Sequence, residues 1–262
     1  MTTDLQEALK KIKLHWLAAN LDDFTARSTK ARISPIQMIE QIAQSEMQDA
    51  KQVNLARRMV DARLGNFRSF DQFDWSWPKD LDRDTVEHLL TLSFIEEKRN
   101  AIFVGPAGIG KTMLAKNIAH KAILAGKTAW FRSAANILND LQAKETFRSA
   151  NLSAQRFNKP DLLVIDELGY LSYETRAADL LFQLIQSRYE AKSVIVTMNV
   201  AFGEWNTVFP SAACVSAMID RLTHHATILS FAGESYRLKE SGENQIKAKA
   251  QTKGKKGPKN AS

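Results

Sequence analysis

Several groups of residues have the types and the spacing to handle a nucleoside triphosphate. The first is Gly105-Pro106-Ala107-Gly108-Ile109-Gly110-Lys111-Thr112, which satisfies G-x-x-x-x-G-K-[ST]. Glycines at these positions let backbone N–H groups and a helix N-terminus close around the α- and β-phosphates. Lys111 brings a positive charge to the β- and γ-phosphates, and the Thr112 hydroxyl is a ligand for Mg²⁺. Such a pattern also arises by chance. Here an apolar strand, Ala101 to Val104, precedes it and an amphipathic helix follows, which is the context the chemistry requires.

The second group is Asp161-Leu-Leu-Val-Ile-Asp166-Glu167, in which four apolar residues deliver Asp166 to the carboxyl end of a strand, where ligands collect in parallel sheets. Asp166 reads as the residue that holds Mg²⁺ through water. Glu167 reads as the general base that orients and deprotonates an attacking water. The paired Asp-Glu form points to the additional-strand branch of P-loop ATPases, whose next strand ends in a polar sensor. That strand is Val194-Ile-Val-Thr197-Met198-Asn199, with Asn199 as the sensor and Thr197 as the alternative. His224-His225 would suggest a metal, but adjacent residues in a helix point about 100° apart and the sequence shows no third ligand beside them.

These groups need a scaffold that brings strand ends together. From residue 81 onward helical segments alternate with short apolar strands at Ala101 to Val104, Thr128 to Phe131, Leu162 to Asp166, Val194 to Met198 and Ala226 to Phe231. That alternation predicts an α/β fold with a five-stranded parallel sheet covered on both faces. After the fifth strand only about thirty residues remain, with no room for a second folded C-terminal domain of the usual size. Before the sheet, Leu5, Leu9, Ile12 and Trp16 recur on one helical face, and Ser34-Pro35-Ile36-Gln37 reads as a capping box opening a second helix. In that helix Ile36, Ile39, Ala43, Met47, Ala50 and Val53 form an apolar stripe expected to be buried, and Gly65 is the expected terminator. The aromatic stretch Phe67, Phe70, Phe73, Trp75, Trp77 reads as a linker docked on the larger domain, with stacking on nucleic-acid bases as the alternative. The expected organisation is therefore a helical N-terminal domain over 1–66, an aromatic linker over 67–80, an ATPase domain over 81–240 and a Lys-rich tail over 241–262.

Charge and composition narrow the class. The net charge of +7 lies mostly in the tail, whose Lys247, Lys249, Lys253, Lys255, Lys256 and Lys259 have no acid among them; without them 30 basic groups face 29 acidic ones. The tail is expected to be disordered, either merely solubilising or a non-specific phosphate contact. Lys51, Arg57, Arg58, Arg63 and Arg68 against Asp61 make a second basic region, read either as a solvated helix face or as a nucleic-acid contact. Lys144, Arg148 and Arg156, after the second strand, leave the same two readings open. A single cysteine, Cys214, excludes internal disulfides and Cys-based metal clusters. With no apolar run long enough for a membrane helix and no signal-peptide pattern, a cytoplasmic protein without membrane partners is expected.

Taken together, GPAGIGKT at 105, PDLLVIDELGYL at 160, DLLFQLIQSRYE at 179, SVIVTMN at 193, EW at 204, DRLTHHA at 220 and GESYRLK at 233 resemble the IstB family. These are the AAA+ helper ATPases of two-gene insertion sequences, related to the bacterial helicase loader DnaC. The resemblance spans roughly residues 5 to 240 and implies a helical DNA-interacting N-terminal domain joined to a P-loop AAA+ core without a lid. It also implies ATP and Mg²⁺ as cofactors, ATP-dependent homo-oligomerisation on double-stranded DNA, remodelling of that DNA, and recruitment of a partner transposase. A DnaC-type helicase loader is the alternative. Through the resemblance Arg221 is expected to act as an arginine finger on a neighbouring subunit's γ-phosphate, and Arg237 as a second nucleotide-sensing arginine; a surface ion pair is the other reading of each.

Overall fold

The structure is a computed structural model that describes residues 2–77, 80–142, 155–170, 173–210, 213–236 and 239. They fall into two compact units, divided after Val60. Three helices make up the first: α1 (Thr2–Lys11), α2 (His15–Ala31) and α3 (Pro35–Ala62), the last running across the division. The expected single helix through Leu5 and Trp16 is broken. Lys13 adopts φ 66°, the chain turns, and Leu5 and Ile12 are left exposed while Leu9 is buried with Leu17, Ala18, Leu21 and Phe24. The start of α2 is capped from a distance, because the Glu46 carboxylate accepts the N–H groups of Trp16 (3.2 Å) and Leu17 (2.7 Å).

The capping box at α3 forms as expected: Gln37 Oε1 accepts the Ser34 N–H at 2.9 Å and Ser34 Oγ accepts the Gln37 N–H at 3.4 Å. The apolar stripe does not behave as expected. Ile36, Ile39, Met47 and Val53 are each at least 60% exposed, and the α3 residues that meet the small core are Met38 and Ile42. Helical periodicity shows which residues align, but the position of the neighbouring helix decides which stripe is covered. The helix stops at Ala62, where Arg63 turns left-handed (φ 54°) before Gly65 is reached.

The second unit is built on a parallel sheet of β1 (Asn100–Val104), β2 (Ala129–Ser133), β3 (Leu162–Leu168), β4 (Ser193–Met198) and β5 (Ala226–Ser230). Its order is β2-β3-β4-β1-β5, so β4 is interposed between the strand before the phosphate loop and the strand carrying Asp166. Boundaries differ from the expected ones by a residue or two, and β3 continues past Asp166 through a register irregularity between Ile165 and Leu168. Ile102, Leu163, Ile165, Val194, Val196 and Met198 point to the face covered by α7 (Ala134–Gln142), α8 (Thr175–Arg188) and α10 (Val215–Thr223). Their alternates Ala101, Phe103, Leu162, Val164 and Ile195 are equally buried toward the side where α6 (Lys111–Leu124) packs Leu114, Ile118 and Ile123. Burial on both faces explains why these strands read as continuous apolar runs. The shorter elements α4 (Arg83–Leu90), α5 (Ser93–Glu96) and α9 (Trp205–Val208) complete the helices. Among the described residues no helical bundle follows β5.

The amino-terminal ends of the strands are tied by polar groups. Arg188, 1% exposed at the end of α8, donates to the carbonyls of Phe157 (2.6 Å), Pro160 (3.1 Å) and Ser193 (2.7 Å), joining the entries to β3 and β4. Asp161 accepts from the Thr128 N–H (2.9 Å) and hydroxyl (2.8 Å) and from Lys192 Nζ (2.9 Å). Burial acts to raise its carboxyl, but Lys192 and the Thr128 donors prevail and hold it at a pKa of about 2.

Candidate nucleotide-binding site

The strand order brings the separate sequence motifs to one place, the carboxyl ends of β1, β3 and β4. Gly105 leaves β1 with its N–H on the Met198 carbonyl (3.2 Å), and α6 begins at Lys111 directly behind Gly110. Nothing larger than glycine fits at 105, because an added Cβ would overlap the Phe231 carbonyl. Pro106, Ala107, Gly108 and Ile109 form the turn between them, and Ile109 is buried. Lys111 Nζ donates to the carbonyls of Gly105 and Pro106, both at 2.6 Å, so the ammonium is drawn across the loop it serves.

Thr112 Oγ1 donates to Asp166 Oδ1 at 2.9 Å, linking the first turn of α6 to the end of β3. A hydroxyl and a carboxylate side by side are the hard oxygen donors that Mg²⁺ takes, so the residues present fit that ion. Asp166 is buried and Glu167, beside it, is exposed. Glu167 has φ 60°, a left-handed conformation uncommon for a residue with a side chain. Asn199 follows β4, is exposed, and lies beside the Gly169 turn, where an added Cβ would come 3.6 Å from its Oδ1.

The aromatic stretch docks on the larger unit, and it does so over the phosphate loop. A cavity of about 340 Å³ is lined by Phe73, Trp77, Gly108, Lys111, Thr112 and Tyr236, among others. Phe73 sits where a Cβ on Gly110 would come within 3.1 Å of its ring. Asn117 of α6 anchors the segment, accepting the Phe70 N–H and donating to the Arg68 carbonyl, both at 2.9 Å. Trp77 Nε1 donates to the Glu234 carbonyl (2.9 Å), and the Tyr236 N–H donates to the Gly108 carbonyl (3.1 Å). Sequence reasoning placed these aromatics on the core but missed that they wall this cavity. Tyr236 has no signal in the sequence beyond its place in GESYRLK, next to Arg237.

Arg221 is not brought to the phosphate loop of its own chain. Its carbonyl lies 3.5 Å from the Asn100 side-chain amide at the start of β1, the opposite end of the strand from Gly105. Its guanidinium donates to Ala217 O (3.0 Å) and lies over the Phe182 ring, 5.2 Å from the centroid. Arg237, Lys144, Arg148 and the Lys-rich tail lie outside the described residues. The His pair needs a correction. Helix α10 ends at Thr223, so the two rings come together 3.8 Å apart, and Glu190 arrives as a third candidate ligand within 4.8 Å. All three are exposed, and the Tyr189 hydroxyl engages His224 Nδ1 at 2.5 Å. Cys214 is half-buried, and burial together with Asp179 pushes its thiol pKa up, away from reactivity.

Residues 7–244 match the family described as IstB-like ATP binding protein. The chain belongs to that family. It is 33% identical, over 96% of its own length and all of the relative, to the insertion sequence IS5376 putative ATP-binding protein of Geobacillus stearothermophilus. It is 32% identical to the insertion sequence IS21 putative ATP-binding protein of Pseudomonas aeruginosa, covering 90% of this chain and 89% of that one. Among solved structures it resembles DnaI (TM-score 0.52, 18% identity, 64% of this chain and 89% of that one). It also resembles AMPPCP-bound DnaA from Aquifex aeolicus (TM-score 0.54, 20% identity, 71% and 56%). These two likenesses bear on the fold alone, a five-stranded parallel sheet with helices, preceded in this chain by helices. No described helix is long and apolar enough to cross a membrane.

Proposed function

We propose that this IstB-like protein hydrolyses ATP, with Mg²⁺, to drive its assembly on double-stranded DNA in the movement of an insertion sequence. The observation that carries the reading is the convergence of Lys111, Thr112, Asp166 and Glu167 at one end of the sheet, beneath an aromatic-walled cavity. Lys111 and the loop N–H groups bind the phosphates, and Thr112 and Asp166 would hold Mg²⁺. When bound, the ion neutralises charge on the β- and γ-phosphates. Glu167, exposed at the strand end, takes the proton of the attacking water, and Asn199 beside it senses the γ-phosphate. Insertion-sequence relatives matched over nearly the whole chain support transposition over helicase loading. The further roles follow the family reading: remodelling of target DNA and recruitment of the transposase, in the cytoplasm.

The same reading has the site completed in trans, with Arg221 of one subunit reaching the γ-phosphate held by the next; its support is that Arg221 lies at the opposite end of β1 from its own phosphate loop. The experiment is a steady-state phosphate-release assay with duplex DNA. Arg221→Ala and Lys111→Ala chains, each inactive alone, should recover part of the activity when mixed, since the first keeps a binding site and the second keeps the arginine. No recovery at any ratio, with both variants co-assembled on DNA, would overturn the role of Arg221. A wild-type chain that releases no phosphate with Mg²⁺ and DNA would overturn the ATPase reading itself.

A further inference from the structure

Thr197 stands between the two acidic residues of the site. It lies in β4, is 1% exposed, and its hydroxyl is used in both directions. Thr197 Oγ1 donates to Asp166 Oδ1 at 2.5 Å and accepts the Glu167 N–H at 3.0 Å. Asp166 Oδ1 therefore receives two hydroxyls, that of Thr112 from α6 and that of Thr197 from β4. The Glu167 N–H, by contrast, has left the ladder: pairing of β3 with β4 runs in step from Leu162 to Ile165 and resumes at Leu168 opposite Met198. Between those points the backbone at Glu167 goes through its left-handed turn. A side chain in that conformation persists only where its surroundings hold it. Among the described residues, the side chain that bonds the Glu167 backbone is that of Thr197.

We propose that Thr197 is a positioning residue: its hydroxyl pins the Glu167 backbone in the left-handed conformation and orients Asp166, so that the exposed Glu167 carboxylate is aimed at the attacking water. This inference rests on the ATPase reading above. Thr197 is buried and engages Asp166 and the Glu167 backbone, so it acts through those two residues. Its hydroxyl proton goes to Asp166 and one lone pair takes the Glu167 N–H, which separates its role from that of Asn199, the exposed residue that follows the same strand. A valine has the same shape as threonine but leaves the Glu167 N–H without its acceptor and Asp166 with one donor fewer, and the turn can then relax toward regular strand.

The test compares Thr197→Val and Thr197→Ser in the full chain, with kcat for ATP and the affinity for a fluorescent ATP analogue measured side by side. Removing an outer-shell partner should lower kcat by roughly 10–100-fold. Affinity should stay within a few-fold of wild type, because the phosphate loop is untouched, and Thr197→Ser should restore most of the rate. If Thr197→Val does not fold, Thr197→Cys makes the same comparison against Thr197→Ser, since a thiol is close in shape but a weak hydrogen-bonding group. Equal kcat in the hydroxyl-bearing and hydroxyl-free variants overturns the proposal while leaving the ATPase reading intact. A parallel loss of affinity and rate, unrescued by serine, also overturns it. An inactive wild type fails the underlying reading instead, so the two failures are distinguishable.

Discussion

The two ends of the parallel sheet are both polar, yet they are polar in different ways. At the amino-terminal end Arg188 spreads its guanidinium over the carbonyls of Phe157, Pro160 and Ser193, and Asp161 is satisfied by Thr128 and Lys192. Every partner there is part of the fold, and the result is a seam joining β2, β3 and β4. At the carboxyl end the fold holds Lys111 and Asp166 buried but leaves Glu167 projecting from it. Lys111 leans on its own loop, Asp166 is gripped by two hydroxyls, and Glu167 is exposed in a strained turn. Buried polar groups at the first end define a structure; those at the second keep capacity for a ligand. Charge and burial alone do not tell a functional group from a structural one, because Arg188 is the more buried and Lys111 nearly as hidden.

Substitutions at the two ends should therefore fail differently. The largest effect is expected at the carboxyl end, where Lys111→Ala should weaken nucleotide affinity on the order of 100-fold, the loss of a charge-assisted phosphate contact. Its unfolding midpoint should hardly move, as a fluorescent-nucleotide titration paired with thermal denaturation would show. A comparable drop in stability would mean that Lys111 belongs with the structural end after all. Arg188→Leu should do the reverse, destabilising the fold by about 3–5 kcal/mol as buried carbonyls lose their donor. Denaturant unfolding measures that loss, and any chain that remains folded should bind nucleotide with near wild-type affinity.

The smallest effect sharpens the comparison through pH. The folded-state pKa of Asp161 is about 2, below the ordinary 3.8, so its contribution to stability is complete above the ordinary value and lost as pH falls toward about 2. Wild type should be more stable than Asp161→Asn near neutrality, and the difference should shrink between about pH 4 and about pH 2. A gap that stays constant across that window would show that the Lys192 pair contributes nothing in solution.

What could be read from the residues divides along similar lines. The phosphate loop, the Asp166-Glu167 pair and the five strands were legible because each is a local pattern: glycines at fixed offsets, or an apolar run bounded by polar residues. The capping box at Ser34 was legible for the same reason. The stripe of α3 was not, since the exposure of Ile36 and the burial of Met38 depend on where α2 lies. Nor could Thr197 be separated from Asn199 while β4 had no neighbours, because its hydroxyl acquires meaning only when β3 bulges beside it. The cavity wall made by Phe73, Trp77 and Tyr236 joins segments far apart in the chain and has no period to betray it.

Gly105 has a consequence for how such signatures are interpreted. It opens the phosphate-loop motif, and its lack of a side chain is ordinarily credited to the ligand. Yet the atom that a Cβ would strike is the carbonyl of Phe231, whose own N–H is bound to Val104 at 2.7 Å where the chain leaves β5. The glycine is thus under two unrelated selections, one from the nucleotide and one from an edge strand more than a hundred residues downstream. A mutational scan would score it as intolerant for either reason, and only a paired readout of assembly and ligand affinity could say which. Part of a motif taken as the fingerprint of a cofactor is, in this chain, the imprint of the next strand in the sheet.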